Sequence, residues 1–561
     1  MIKMSARGLF LLRNASSCSH SPFFVTTPIY YVNANPHIGH LYSSLIADTV
    51  YRWRCITNNV TSAGKFKFST GTDEHGSKIQ QAAAINNSTP VDYCLKVSSQ
   101  YKDLAQRFSI DYTDFVRTTD ENHERAVHKF WNILKRNGKI YSAKYSGWYC
   151  VSDETFLTES QLKERVEPDG RKTIISGESG HPVEWIEEVN YMFPLRSLQD
   201  DLKYWIRRNE NSVRPAKFRK ILLDMVEASP LPDISISRPS SRVHWGIQVP
   251  DDETQTVYVW LDALVNYLTA AGYAEGAAFS KVWPPSVQVI GKDILKFHGI
   301  YWPAFLIAAD LEPPATLLCH SHWTVDGEKM SKSKNNVVCP FQRSKIYTND
   351  GLRYFLLREG VAHSDGNYSD TKLIRILNSE LADTLGNLLS RCCGSALNPR
   401  QTFPRIEEDA LRKVAELDVT KKLIEDVRGL PDACMGHYTD FNFYKAVDRL
   451  IATLHQANVF FETLKPWALK KDPTKAAELD VVLHLTLETL RVCGILLQPI
   501  IPNIAACLLN KISVEKGKRC FGDVKTLSWE AGEFASRDLG REKEVLFRRI
   551  LLEGERKTRR V

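Results

Sequence analysis

Two histidines three residues apart, His37 and His40 in the pentapeptide PHIGH, lie between an extended apolar run and a helical pattern. That spacing puts both imidazoles on one helix face, where both could donate to phosphate oxygens. A first helical turn adds unpaired N–H groups and the positive end of the helix dipole, and Gly39 lets a flat base or a phosphate approach the backbone. The bland alternative is a helix start carrying two surface histidines. Much later, DGEKMSKSKNN (Asp326 to Asn336) holds Lys329, Lys332 and Lys334 among small polar residues, with Gly327 as a hinge. Mobile lysines can close over a polyphosphate and neutralise charge that develops as a phosphorus–oxygen bond breaks. Taken alone, the same charge run reads as a solvated loop.

A candidate small-molecule pocket falls between these motifs. Ile294, His298 and Trp302 recur every four residues, and Trp260 and Tyr267 flank WLDA. Aromatic residues with one polar histidine near the switch point of a sheet would suit an apolar side chain. The same stripe is also what a helix buried in a core looks like. Asp73, in GTDEHG, sits at a strand end, where it serves either as a ligand or as a helix N-cap.

The elements that must position these residues alternate. Phe23 to Val32 (FFVTTPIYYV) is aromatic and β-branched, as a buried strand should be, and apolar residues recur at helical spacing from Ile38. KFKFST, a helix after residues 71–76, and DYTDFVRT near 111–118 continue the pattern; TVYVWLDAL (256–264), VQVIGKDI (287–294) and ATLLCHSH (315–322) resume it. Such alternation predicts a doubly wound parallel sheet with ligands at the carboxyl ends of its strands. Between the halves, residues 140–240 mix short strands, Gly and charged turns, and read as an inserted module. From about 370 the chain is helical, with stripes at Leu377, Leu381, Leu385, Leu388 and at Phe443, Val447, Leu450, Leu454, Ala457, Phe461, Leu464. Asn387 and Arg391 lie on the flank of the first stripe. Pro466 ends the second and leaves Trp467 beyond it, as core or as a stacking platform for an unpaired base. REKEVLFRRILLEGERKTRRV, at the end, predicts a closing amphipathic helix with a basic outer face.

A chain of 561 residues should hold about three or four domains. Its 43% hydrophobic and 25% charged fractions are those of a soluble globular protein, and a net charge of +7 is too mild to imply nucleic acid. No apolar run reaches the ~18 residues that span a bilayer, so no membrane is expected. Lys3, Arg7 and Arg13 stand among Ser and apolar residues, and the first acidic residue is Asp48; residues 1–21 read as a mitochondrial transit peptide, or else as a basic tail. The twelve cysteines contain no CxxC pair, which fits reduced thiols better than a disulfide framework.

PHIGH and KMSKS, with an interrupted sheet between them and a helical bundle behind, resemble the two signature motifs of class I aminoacyl-tRNA synthetases. TPIYYVNANPHIGH, GTDEHG, YVWLDAL, GKDILKFHGIYWPAF and the stretch from LGNLLSR to LKPW are similar to methionyl-tRNA synthetases, over nearly all the chain after residue 22 and most of all to mitochondrial members. The resemblance implies an α/β Rossmann-type parallel-sheet catalytic domain in two halves, 22–139 and 241–325, around an inserted connective module at 140–240. A lysine-loop and linker region at 326–372 and an all-α anticodon-binding helical bundle at 373–561 would follow. Tyr31, Trp260, His298 and Trp302 would enclose a methionine side chain, with Ile29, Ala263, Tyr267 and Ile294 around it and Asp73 on the amino group. His298 is expected as a donor to the thioether. His37 and His40 would contact ATP phosphates, Gly39 the adenine, Gly291 and Asp293 the adenosine, and Lys329 and Lys332 the transition state and pyrophosphate. Asn387, Arg391 and Trp467 match anticodon-reading positions.

The implied activity is that of a methionine-tRNA ligase using L-methionine, tRNA(Met) and ATP with Mg²⁺, in the mitochondrial matrix. An insertion of about a hundred residues is too short for the editing domain of the leucine, isoleucine and valine enzymes. A catalytically silent tRNA-binding relative is the rival, but it should carry damaged motifs. Many relatives hold zinc through CxxC pairs in the insertion, whereas Cys150 is the only cysteine between Cys94 and Cys319. Tetrahedral zinc needs about four ligands, so no structural zinc is expected, and His181 reads as a turn residue. The chain stops soon after the bundle, which gives a monomer as the expected state.

Overall fold

The computed structural model describes residues 22–59, 66–151, 155–157, 159–167, 170–177, 179–276, 279–330, 336–530, 536–540 and 545–551. The expected presequence at 1–21, and Lys332 and Lys334, lie outside these residues.

The apolar run at the start of the described chain builds the centre of a seven-stranded sheet. Its main strands are β1 (Phe23–Thr26), β2 (Tyr30–Tyr31), β3 (Phe66–Asp73), β4 (Asp114–Arg117), β5 (Val213–Arg214), β6 (Val287–Gly291) and β7 (Leu317–His320). The order runs β5, β7, β6, β1, β3, β2, with β4 also on β3, and every pairing is parallel. FFVTTPIYYV is therefore not one continuous strand. Thr26 pairs with Ser69 and Tyr30 with Thr72, four positions against three, so a bulge at Thr27–Ile29 separates β1 from β2. Pro28, which has no N–H to give the ladder, sits in that bulge.

Helix α1 (Ile38–Thr57) follows β2 and is buried on nearly every side, because it lies between the sheet and the helical bundle. Chain order reverses between β1 and β6, since β1 leads outward to β3 on one side and meets β6 on the other. Such a switch point opens a crevice at the strand ends, and PHIGH stands at it.

The stretch 140–240 is less uniform than its composition suggests. Its outer part is antiparallel: Tyr141–Cys150 pairs with Glu184–Phe193, flanked by Thr155–Leu157 and Ile234–Ser235. Residues 199–228, by contrast, return to the main body, where β5 forms the sheet edge beside β7. Leu202, Trp205, Phe218 and Leu222 pack in one core with Trp302 and Phe305. TVYVWLDAL also departs from expectation. Asp252–Val257 belongs to a small antiparallel sheet with Ser237–Pro239 and Gln248–Val249, and the motif's second half opens helix α2 (Val259–Ala270). His181 is exposed, and its carbonyl accepts the Ser176 N–H at a hairpin end.

Beyond the sheet come α3 (Asn349–Glu359), α4 (Asn387–Cys393), α5 (Phe443–Leu464) and α6 (Ala476–Leu497). Leu377, Leu381, Leu385 and Leu388 are buried, as are Phe443, Val447, Leu450, Leu454, Ala457 and Phe461, so both stripes face the bundle core. Arg353 of α3 is fully buried and joins the two halves of the molecule. Its guanidinium donates to Asp48 of α1 (2.6 Å) and to the carbonyls of Phe108 (2.8 Å), Pro499 (3.0 Å) and Ile500 (2.9 Å). The closing amphipathic helix is absent from Val545–Leu551, the described part of that segment. Asn378 instead holds it in non-helical form through both the N–H and the carbonyl of Ile550, while Phe547 fills a buried site. Among the described residues, no helix is long and apolar enough to cross a membrane.

Candidate active site

The PHIGH turn shows why these residues occupy these positions. His37 is the N-cap of α1: its Nδ1 accepts the Gly39 N–H at 3.0 Å, while the His40 Nδ1 accepts the His37 N–H at 3.2 Å. Each ring thus spends Nδ1 as an acceptor, which leaves the proton of a neutral imidazole on Nε2. The rings stack 3.9 Å apart. Burial pulls the His37 pKa down to about 4, with Asp293 opposing and His322 assisting. Burial, then His37, holds His40 well below its ordinary value. The pair therefore presents two neutral N–H donors. A Cβ on Gly39 would come within 2.8 Å of the His37 ring, so the capping geometry itself requires glycine there.

A cavity of about 370 Å³ opens from this turn. Ile29, Tyr31, Asp73, Trp260, Ala263, Tyr267, Ile294 and His298 line it, together with His37, Gly39, His40, Gly291, Asp293 and Lys329. Asp73 ends β3, and the next helix starts at Ser77 with Gly76 as its cap, so Asp73 is not an N-cap. Trp260 stacks on Phe297 at 3.5 Å, and Lys78 lies 5.7 Å over the Tyr31 ring.

Two expectations change here. Trp302 is fully buried and stands one layer behind the wall, tilted against Tyr267 at 5.9 Å. A π-helical turn at Phe297–Tyr301 directly precedes it. His298, in turn, is not a free donor. Its Nδ1 faces the Ile294 carbonyl at 3.1 Å, which can only accept, so Nδ1 carries the proton and Nε2 accepts from the Tyr267 hydroxyl at 2.8 Å. Burial lowers its pKa to about 4, which keeps the ring neutral with that single N–H.

Residues outside the sequence reading complete the walls. The His320 Nδ1 donates to the Ser321 carbonyl (2.9 Å), so its Nε2 accepts from Ser43 (2.8 Å); burial lowers its pKa to about 4. The His322 Nε2 lies 3.1 Å from Asp293 Oδ1. Behind the pocket, the buried Asp262 carboxylate bridges His75 and His123, 2.7 Å from each. Burial acts to raise the Asp262 pKa, and the two imidazoles overcome it to leave about 2. This bridge ties GTDEHG to α2. The usable signal for His320 and His322 was their place in ATLLCHSH, at the carboxyl end of a parallel strand.

Lys329 sits on a hairpin, Trp323–Val325 with Glu328–Lys329, turned by Asp326 (φ 52°) and Gly327 (φ 78°). Positive φ at both turn positions is the geometry that an Asp-Gly pair favours. In the bundle, Asn387 is exposed one turn before Arg391. The Arg391 guanidinium lies 4.7 Å over Phe461 and 5.6 Å over Trp467, and pairs with Glu462 at 2.7 Å. Trp467 is 38% exposed, which makes it a surface ring and not core. Among the described residues, no group of three or more His, Cys, Asp or Glu side chains could hold a metal ion.

A parallel sheet with a histidine-capped helix at its switch point, a lysine hairpin facing that cap and a helical bundle behind define a class I tRNA synthetase. Residues 23–393 match the family described as tRNA synthetases class I (M), and residues 413–554 match the anticodon binding domain of methionyl tRNA ligase. The chain belongs to the methionine-tRNA ligase family. It is 46% identical to the human mitochondrial methionine-tRNA ligase over 95% of this chain and 91% of that one. Identity to the methionine-tRNA ligase of Rickettsia bellii is 38%, over 93% and 97% of the two chains. The structure of Mycobacterium tuberculosis methionyl-tRNA synthetase in complex with methionyl-adenylate superposes with a TM-score of 0.86 at 33% identity, covering 94% of this chain and all of that one.

Proposed function

We propose that the chain activates methionine with ATP and transfers it to the 3′ end of tRNA(Met) as a monomer in the mitochondrial matrix. The observation that carries this reading is the mutual capping of His37 and His40, which leaves two neutral Nε2–H donors at a cavity that Asp73, Asp293 and Lys329 also line.

ATP enters as its Mg²⁺ complex, a substrate and not a resident cofactor. The ammonium group of methionine pairs with Asp73, and its side chain enters the apolar end between Tyr31, Trp260, Ala263 and Tyr267. Its carboxylate attacks the α-phosphorus in line, and pyrophosphate leaves. The two imidazole N–H groups donate to phosphate oxygens, Lys329 and Lys332 neutralise the departing charge, Gly39 and Gly291 admit the adenosine and Asp293 accepts from its ribose. A terminal ribose hydroxyl of tRNA then attacks the adenylate carbonyl, and AMP leaves. No side chain changes covalently; catalysis is positioning and charge stabilisation.

Asn387, Arg391 and Trp467 form the anticodon contact in this reading. The catalytic domain comprises 22–139 and 241–325 together with residues 199–228, the lysine hairpin and linker run through 326–372, and the bundle occupies 373–561. Cys150, alone in its segment, argues for an insertion without structural zinc. The deciding experiment is methionine-dependent exchange of pyrophosphate into ATP. Exchange with leucine, isoleucine, valine or cysteine but none with methionine would overturn the reading. No particular observation favours a silent relative.

A further inference from the structure

His322 is held more rigidly than a residue lining an open cavity needs to be. Its backbone N–H donates to Asp365 Oδ1 at 2.9 Å, and its carbonyl accepts the Gly366 N–H at 2.9 Å. Asp365 also takes the Lys292 ammonium, at 2.6 and 2.8 Å on its two oxygens. One carboxylate thus locks together the loop after β6, which carries Asp293, and the loop after β7, which carries His322. Across that junction the His322 Nε2 meets Asp293 Oδ1 at 3.1 Å; a carboxylate only accepts, so Nε2 bears the proton. Gly291 clears the space for that oxygen, since a Cβ there would stand 2.6 Å from it.

We infer that His322 is a nucleotide-positioning residue, whose Nε2–H holds one oxygen of Asp293 so that the other is left to accept a ribose hydroxyl of ATP. The inference rests on the reading of Asp293 as the adenosine ligand. A fixed acceptor loses less rotamer freedom when the nucleotide arrives, so the contribution belongs to ATP affinity and not to methionine affinity. Asp365 acts one step further back, by fixing the peptide from which His322 reaches.

The test is pyrophosphate exchange by the full chain, with ATP and methionine varied separately. His322→Phe keeps a flat ring without the donor and should raise the ATP KM about tenfold, the value of one hydrogen bond to a charged group, with the methionine KM unchanged. His322→Gln, which restores an N–H at similar reach, should recover most of the loss. In an Asp293→Asn background His322→Phe should add little, because the two act as one unit. An unchanged ATP KM in His322→Phe, equal rises in both KM values, or full additivity with Asp293→Asn would each overturn the inference. An unchanged ATP KM in Asp293→Asn alone would instead remove the adenosine assignment on which it stands.

Discussion

The His40 ring accepts the backbone N–H of His37 at 3.2 Å, so one imidazole holds in place the peptide that carries the other. Capping uses Nδ1 of each ring and the proposed phosphate donation would use Nε2, so substitution can separate the two. In His37→Asn the amide oxygen takes over the cap, while no group remains at the Nε2 position. Its melting temperature should stay near that of the wild type, and adenylate formation should slow by about 10²- to 10³-fold, the cost of one preorganised donor. His37→Ala should lose about 1 kcal/mol of stability in addition. Single-turnover adenylation with a parallel thermal melt checks both; a wild-type rate in His37→Asn would remove the donor role.

The Tyr267 hydroxyl proton is committed to His298, and the His298 proton to the Ile294 carbonyl. These polar groups at the pocket end satisfy each other, so under the proposed function methionine would be selected mainly as an apolar chain of the right length. Norleucine should therefore support pyrophosphate exchange with discrimination of only about 10- to 200-fold. Discrimination above about 10⁴-fold would mean that a hydrogen bond to sulfur is being read, contrary to this geometry.

Trp467 is exposed and stands within 5.6 Å of the Arg391 guanidinium. Trp467→Ala should raise the KM for tRNA about tenfold, from loss of a base stack of about 1 to 3 kcal/mol, and leave amino-acid-dependent pyrophosphate exchange intact. A parallel fall in exchange would show a fault in folding and not in recognition.

His298 and His320 are each 4% exposed, with pKa values lowered to about 4 by burial. In the unfolded chain both return to about 6.5, so between those values the unfolded state binds more protons and acid favours unfolding. Their contribution is complete above about pH 6.5 and is lost as pH falls towards 4, at up to about 1.4 kcal/mol per pH unit for each. Melting temperatures from pH 7.5 to 5 should fall less steeply in His320→Gln than in the wild type. Equal slopes would contradict the depressed value for His320.

Much of this architecture is legible in the chain because its elements obey local rules. The buried stripes in α5 and around Leu377–Leu388 follow helical spacing, and PHIGH reads as a strand-to-helix turn because apolar periodicity changes there. Winding and pairing are less visible. Nothing in GKDILKFHGIYW announces a π-helical turn, and the four-residue repeat of Ile294, His298 and Trp302 does not reveal that Trp302 is packed behind Tyr267. The bulge at Pro28 changes register without changing composition. β5 has only two residues, too few to show a period. The closing segment is amphipathic enough to suggest a helix, yet Asn378 satisfies its backbone in another way. The residues expected at the cavity line it, apart from Trp302, because their types and positions at strand ends are visible in the sequence; His320 and His322 were missed, His322 because its setting depends on Asp365, far away in sequence.

Arg353 gives the domain plan an unexpected meaning. A guanidinium with no solvent exposure draws its partners from the sheet helix, from the end of the helix before β4 and from the bundle. A catalytic fragment cut away from the bundle would keep the Asp48 carboxylate and the Phe108 carbonyl but lose the carbonyls of Pro499 and Ile500, leaving part of the guanidinium's hydrogen bonding unmade. The bundle therefore completes the hydrogen bonding of a charge buried against the sheet helix, and a version of the chain shortened to the catalytic part should be less stable than the whole.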